Sequence, residues 1–230
     1  MVTQRFSTLD AKHVIVVHGA SPIGRAISLG LSDHGATVGV VETGLDTRAD
    51  YERAFAEISA ASGPPSTIVV PVLPGGTRQL LVELPLDAWI ADCERPLRET
   101  RNAVQAAFTA MARPHGQGGC VVLVAATAAL TGETGLAAYA TAAEGARAMA
   151  RVVGRGWGAH GITLHWVGAP TALFTGEDDA PQMAMWNAAL GRGPDPRRDL
   201  ASAIAALASP AMAFTTGTTT VVDGGLVMPT

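Results

Sequence analysis

Six short, mostly apolar runs of this sequence constrain the fold more than any other feature. HVIVV (13–17), ATVGVVE (36–42), STIVVPVL (66–73), CVVLVA (120–125), ITLHWV (162–167) and TTTVVDGG (218–225) have strand length. Most lack the in–out alternation of a strand with one wet face, so they predict strands covered on both sides. Helical patterns fall between them, over about 25–34, 47–61, 86–112, 139–157 and 199–208. Strands alternating with helices predict a Rossmann-like, doubly wound parallel sheet with helices on both faces. Right-handed crossovers then gather every strand C-terminus, and any site, along one edge. At 230 residues the chain suits one domain spanning 1–230.

Composition removes several classes of function. A net charge of −4 disfavours nucleic acid and anionic membrane as partners, since both require clustered cations. Two cysteines, Cys93 and Cys120, offer neither a disulfide framework nor metal-ligand spacing, which suits a reducing cytoplasm. The first residues, MVTQRFSTLDAKH, hold no signal-peptide apolar core, and the run Val121–Leu130 is too short to span a bilayer.

Three segments carry a family resemblance. GGCVVLVAATAALTGETGLAAYATAAEGAR (118–147), AHGITLHWVGAPT (159–171) and RRDLASAIAALASPAMAFTTGTTTVVDGG (197–225) resemble, in order and spacing, the catalytic stretch, following strand and C-terminal part of the short-chain dehydrogenases/reductases. The likeness covers nearly the whole chain. It implies an oxidoreductase frame in which Tyr139 is the general acid/base. It also implies a lysine four residues on and a serine thirteen residues before. Those positions hold Ala143 and Ala126, and the only lysine in the chain is Lys12. Neighbouring polar residues substitute poorly: Arg147 sits two turns on and does not release its proton, Thr127 faces the opposite side of its strand, and neither His18 nor His165 matches a family position.

The cofactor elements are altered in the same direction. The family's first turn, TGxxxGxG, appears as His18-Gly19-Ala20-Ser21-Pro22-Ile23-Gly24, one residue short and with a proline that removes a donor from the phosphate cradle. Gly19, Ser21, Ile23 and Gly24 are the candidate contacts. Glu42, at the end of the second strand, would accept from a ribose and repel a 2′-phosphate, so NAD is favoured over NADP if a dinucleotide binds. Only residues 43–65 separate the second and third apolar runs, too few for the family's helix, strand and helix, so an edge strand is expected to be lost or reduced. NNAG is replaced by Leu73-Pro74-Gly75-Gly76, the helix Asn by Pro96, and the PG turn by Ala169-Pro170. The lid position, 172–198, contains Met183, Met185 and Trp186.

The expectation is a protein with no dinucleotide and no metal. It would be a non-catalytic subunit that assembles with an active homologous subunit through 97–112, 139–157 and 197–225, the segments the family uses for tetramers. Small residues there (Ala106, Ala107, Ala110, Ala142, Ala146, Ala150) permit close helix approach. Two alternatives stand beside it: an atypical enzyme, NAD-linked or a lyase, dehalogenase or cyclase using Tyr139 without hydride transfer, and a ligand-sensing module.

Overall fold

A computed structural model describes residues 9–112, 118–175 and 188–228. Six parallel strands form one sheet: β1 (His13–Val17), β2 (Thr37–Val41), β3 (Thr67–Pro71), β4 (Gly119–Ala126), β5 (Ile162–Ala169) and β6 (Thr219–Val221). Their order is β2-β1-β3-β4-β5-β6. The expected strands are all present. The strand expected to be lost between 43 and 65 is lost, because α2 (Arg48–Ser62) carries the chain directly from β2 to β3. β2 is thereby an edge strand, largely half-exposed where the central strands are buried.

The continuous apolar runs are explained by two packed faces. Ile15, Val17, Ile68, Leu123 and Trp166 face a layer made by α2, α4 (Arg95–Met111) and α6 (Ala137–Trp157). Val14, Val16, Val69, Val122 and Val167 face α1 (Pro22–Asp33) and α8 (Ala201–Leu207). Each such side chain contributes roughly 1.5–3 kcal/mol by leaving water.

Several boundaries differ from those the sequence pattern predicts. α1 begins at Pro22, three residues early, because Ser21 caps it and a proline suits the first turn. The stretch 86–112 is helical as expected, through Met111, but not uniformly α-helical. It comprises α3 (Leu86–Trp89), a π turn (Ile90–Glu94) and α4, with Pro96 in α4's first turn. Two one-turn helices, α5 (Ala128–Thr131) and α7 (Ala172–Thr175), lie at the ends of β4 and β5. β6 stops at Val221 because the Asp223 carboxylate accepts N–H groups of Gly225, Leu226 and Val227, turning the chain away. Met183, Met185 and Trp186 lie outside the described residues.

Candidate active site

The strand ends bring the predicted residues to one edge, and the β1–α1 turn comes first. Its backbone donors are mostly engaged by the chain itself. Gly19 N–H donates to Val41 O (3.0 Å) and Ala20 N–H to Glu42 O (2.9 Å), extending the β1–β2 ladder. Ser21 Oγ donates to His18 O (2.7 Å) and accepts from Gly24 N–H (3.0 Å). Pro22 has no donor. In this first turn only the Ile23 N–H has no partner among the described residues, so a phosphate would meet one amide where a helix N-terminus ordinarily presents several. The glycines have packing reasons of their own. A Cβ on Gly19 would stand 2.0 Å from Val40 Cγ1, and one on Gly24 would stand 2.2 Å from His18 O.

The loop after β2 is drawn onto α4. Leu45 N–H donates to Tyr51 Oη (3.0 Å), and Asn102 Nδ2 donates to Asp46 O (2.7 Å). His18 Nε2 lies 3.4 Å from Glu99 Oε2, and Gly44 is so close to both that a Cβ would sit 2.4 Å from the carboxylate and 2.6 Å from the ring. Burial pushes the Tyr51 hydroxyl up to about 12. Glu42 is exposed at the end of β2, its carbonyl bonded to Ala20. His18 is therefore a packing residue under the 43–47 loop. Glu99 and Asn102, which the sequence pattern does not single out, hold that loop.

Beyond β3, Gly75 and Gly76 donate to the same oxygen, Asp92 Oδ1, at 2.5 and 3.0 Å. Asp92 reaches them from the π turn before α4 and is 1% exposed. Nothing in the sequence pattern distinguishes this carboxylate from a surface one.

Tyr139 lies on α6 with Ala143 one turn further on, and Ala126 ends β4. All three are buried. The tyrosine hydroxyl accepts from Ala126 N–H (3.0 Å) and donates to Val72 O (2.8 Å). Those two partners are significant. Val72 N–H bonds Val124 O (2.8 Å), the last direct rung between β3 and β4. In a parallel ladder the next rung would run from Ala126 N–H to Val72 O. The tyrosine oxygen is inserted into that rung, which is why β3 ends at Pro71 and not at residue 73. Burial drives its pKa well above the ordinary phenol range, only partly offset by the Ala126 N–H. Ala143 lies in the apolar cluster with Tyr139, so no cation adjoins the hydroxyl at that position. Arg147 does not reach back: its guanidinium grips Glu144 at 2.5–3.0 Å. Thr127 is buried beside Gly168, and His165 bonds Thr218 Oγ1 (2.7 Å) on the opposite face of the sheet.

The mouth over Tyr139 is stitched together. Arg78 Nη1 donates to Thr134 O (3.1 Å), and Arg78 Nη2 lies 3.5 Å from Glu133 Oε2. Glu133 Oε1 accepts from Thr171 Oγ1 (2.5 Å), and Gln79 N–H donates to Gly135 O (2.9 Å). These contacts join the loops after β3, β4 and β5. The Phe174 ring is tilted beside that of Tyr139, centroids 6.3 Å apart. A cavity of about 550 Å3 lies elsewhere, between 189–194 and 221–228. No group of three potential metal ligands occurs among the described residues, and no helix among them is long and apolar enough to cross a membrane. Both cysteines are buried and free.

A parallel sheet with a glycine turn after its first strand and a tyrosine helix behind its central strand defines the doubly wound oxidoreductase architecture. The family described as Enoyl-(Acyl carrier protein) reductase matches residues 46–227. A 3-oxoacyl-[acyl-carrier-protein] reductase of Vibrio harveyi is 28% identical over 96% of this chain and 99% of its own length. An L-rhamnose 1-dehydrogenase (NAD(P)(+)) of a Sphingomonas species is 27% identical over 95% and 97%. A short-chain dehydrogenase/reductase of Serratia marcescens, solved as a mutant, superposes with a TM-score of 0.77 at 22% identity, over 95% of this chain and 99% of that one. The chain belongs to the short-chain dehydrogenase/reductase family.

Proposed function

We propose that this chain is a non-catalytic member of its family, serving as a structural subunit beside an active homologous partner. One observation carries the reading: the hydroxyl that would exchange a proton with substrate is a rung of the sheet, donating to Val72 O and shielded from solvent. General acid/base work near neutral pH requires that oxygen to face a substrate and its pKa to fall from about 10 to near 7, roughly 4 kcal/mol. Burial moves it the other way, and alanines occupy the serine and lysine positions. A lyase or cyclase built on Tyr139 would need the same oxygen.

The cofactor reading rests on the turn. With Pro22 lacking an N–H and Ser21 capping Gly24, the β1–α1 turn supplies a poor pyrophosphate cradle, so the subunit works without a dinucleotide. Should one bind, the exposed Glu42 selects NAD over NADP. Some relatives are reductases and dehydrogenases by name, which fixes the control reaction. The purified chain is incubated with NADH or NADPH and a 3-oxoacyl thioester, and with NAD or NADP and an aldose. No turnover above the protein-free rate is expected. Turnover that Tyr139→Phe abolishes would sink the proposal.

A further inference from the structure

We infer that β2 is the strand through which two copies of this chain join, paired antiparallel across a two-fold axis at Gly39. With no strand between 43 and 65, β2 ends the sheet and has β1 as its one neighbour among the described residues. In a parallel ladder alternate residues turn both backbone groups to the same side. Thr37 N–H donates to Lys12 O (2.9 Å) and Val41 O accepts from Gly19 N–H (3.0 Å), so Thr37, Gly39 and Val41 face β1. The N–H and C=O groups of Val38 and Val40 therefore point away from the sheet, and none has a partner among the described residues. Such an edge is ordinarily guarded by charge, proline or a bulge. The run TVGVV has none of these. The opposite edge differs: β6 is three residues long and ends at the Asp223 turn.

The register makes this edge complementary to itself. A two-fold axis through Gly39 sets Val38 of one copy opposite Val40 of the other, and each such pair exchanges both N–H···O=C bonds. Gly39 meets its own copy where antiparallel backbones come closest. A slip of one residue would set Val38 opposite Gly39, whose groups face β1, and the bonds would be lost. The strand holds no charge, so no like charges are opposed across it. The helices leave room for the copy. α1 and α2, on opposite faces, each contact both β1 and β2. The axis then places each helix about 10 Å from its copy, two strand spacings, an ordinary packing distance. The flanks that meet are small. α2 is tied to α4 by Glu52 and Thr109 (2.9 Å) and lays Ile58 over Gly39, so helical spacing turns Ala54 and Ala61 to the open side. On α1, Gly30 and Asp33 face Arg197, which leaves Ser28 and Ser32 on the flank toward the edge. Glu57 is exposed on the solvent rim of that α2 flank, so the contact is not held by ion pairs.

This contact goes beyond the subunit reading above and does not draw on it. Val38→Pro removes an outward N–H, a change an edge strand tolerates, and Ala61→Lys sets an exposed lysine against the copy's flank. Wild type and both variants are compared by sedimentation velocity and by hydrogen exchange, with circular dichroism to verify folding. Each variant is expected to halve the mass of the wild-type assembly, while about 500 mM NaCl leaves that mass unchanged. The Val38 and Val40 amides should exchange at least about tenfold more slowly in wild type than in Ala61→Lys. Ala61→Lys carries the test alone if Val38→Pro does not fold. A mass that neither variant changes overturns the inference. So does a monomeric wild type: slow exchange at Val38 and Val40 would then assign the edge to another part of the same chain, and fast exchange would show an edge without an occupant. Dissociation by salt would make the contact ionic and overturn it as well. Turnover is not read in any of these, so failure here leaves the non-catalytic reading standing, and turnover would sink that reading without moving these masses.

Discussion

Replacing Tyr139 by phenylalanine separates a structural tyrosine from a catalytic one. The ring remains and fills the same space, and only the hydroxyl leaves. In this molecule the loss strands Val72 O and Ala126 N–H, since the oxygen bridges them at 2.8 and 3.0 Å and the residue is 1% exposed. A buried polar group left without a partner costs about 1–3 kcal/mol. Two such groups, with some relaxation, give a destabilisation of about 2–4 kcal/mol. For a domain of this length each kcal/mol lowers Tm by about 2–4 °C, so the drop should be roughly 5–15 °C by calorimetry. A tyrosine kept only for chemistry shows little change, or gains stability, on the same substitution. A Tyr139→Phe protein melting within about 2 °C of wild type would refute the inserted-rung reasoning. It would mean that β3 and β4 close directly, Ala126 N–H to Val72 O, at no cost.

Other perturbations test neighbouring parts. Gly24→Ala should destabilise by about 1–3 kcal/mol with no nucleotide present, because its Cβ would stand 2.2 Å from His18 O; an unchanged urea midpoint would show that the glycine is not needed for packing. Glu133→Gln removes the carboxylate joining Arg78 and Thr171, and hydrogen exchange should quicken in residues 131–135 while Tm falls by less than about 1 °C, the pair being part-exposed. Equal exchange in both proteins would mean that the loops are held by other contacts. His165 is buried and its pKa is lowered by burial, so as pH falls the unfolded chain takes up this proton, near pH 6.5, before the folded protein does. The unfolded state then binds more protons, and stability is lost as pH falls below about 6.5, by up to about 1.4 kcal/mol per pH unit. His165→Gln should flatten the curve just below about pH 6.5; a slope equal to wild type would assign it to other groups. Asp199, held well below the carboxylate range by Arg192, acts only at lower pH.

The sheet was legible because its signal is local and repeated. Runs such as HVIVV and CVVLVA declare two-sided burial without reference to anything distant, and the shortness of 43–65 alone foretold the missing edge strand. Tyr139, Ala126 and Ala143 could be placed because the family resemblance of residues 118–147 assigns their positions. What the tyrosine's oxygen touches could not be read, since Val72 lies 67 residues away and meets it only through strand register. Asp92 and Glu99 were hidden for a related reason. Each looks like an ordinary helix-surface carboxylate until a π turn, or the path of the β2–α2 loop, turns it inward. Arg147, which the sequence already makes a poor substitute for the missing lysine, is engaged by Glu144 three residues before it.

On the proposed reading the strand-end cleft neither holds a dinucleotide nor performs its chemistry. Isothermal titration of the purified chain with NADH, NADPH and their oxidised forms tests it most directly. No saturable heat is expected up to millimolar nucleotide, because the first turn offers one free amide and the 43–47 loop is held against α4. Saturable binding of NAD or NADH at micromolar concentration would contradict it.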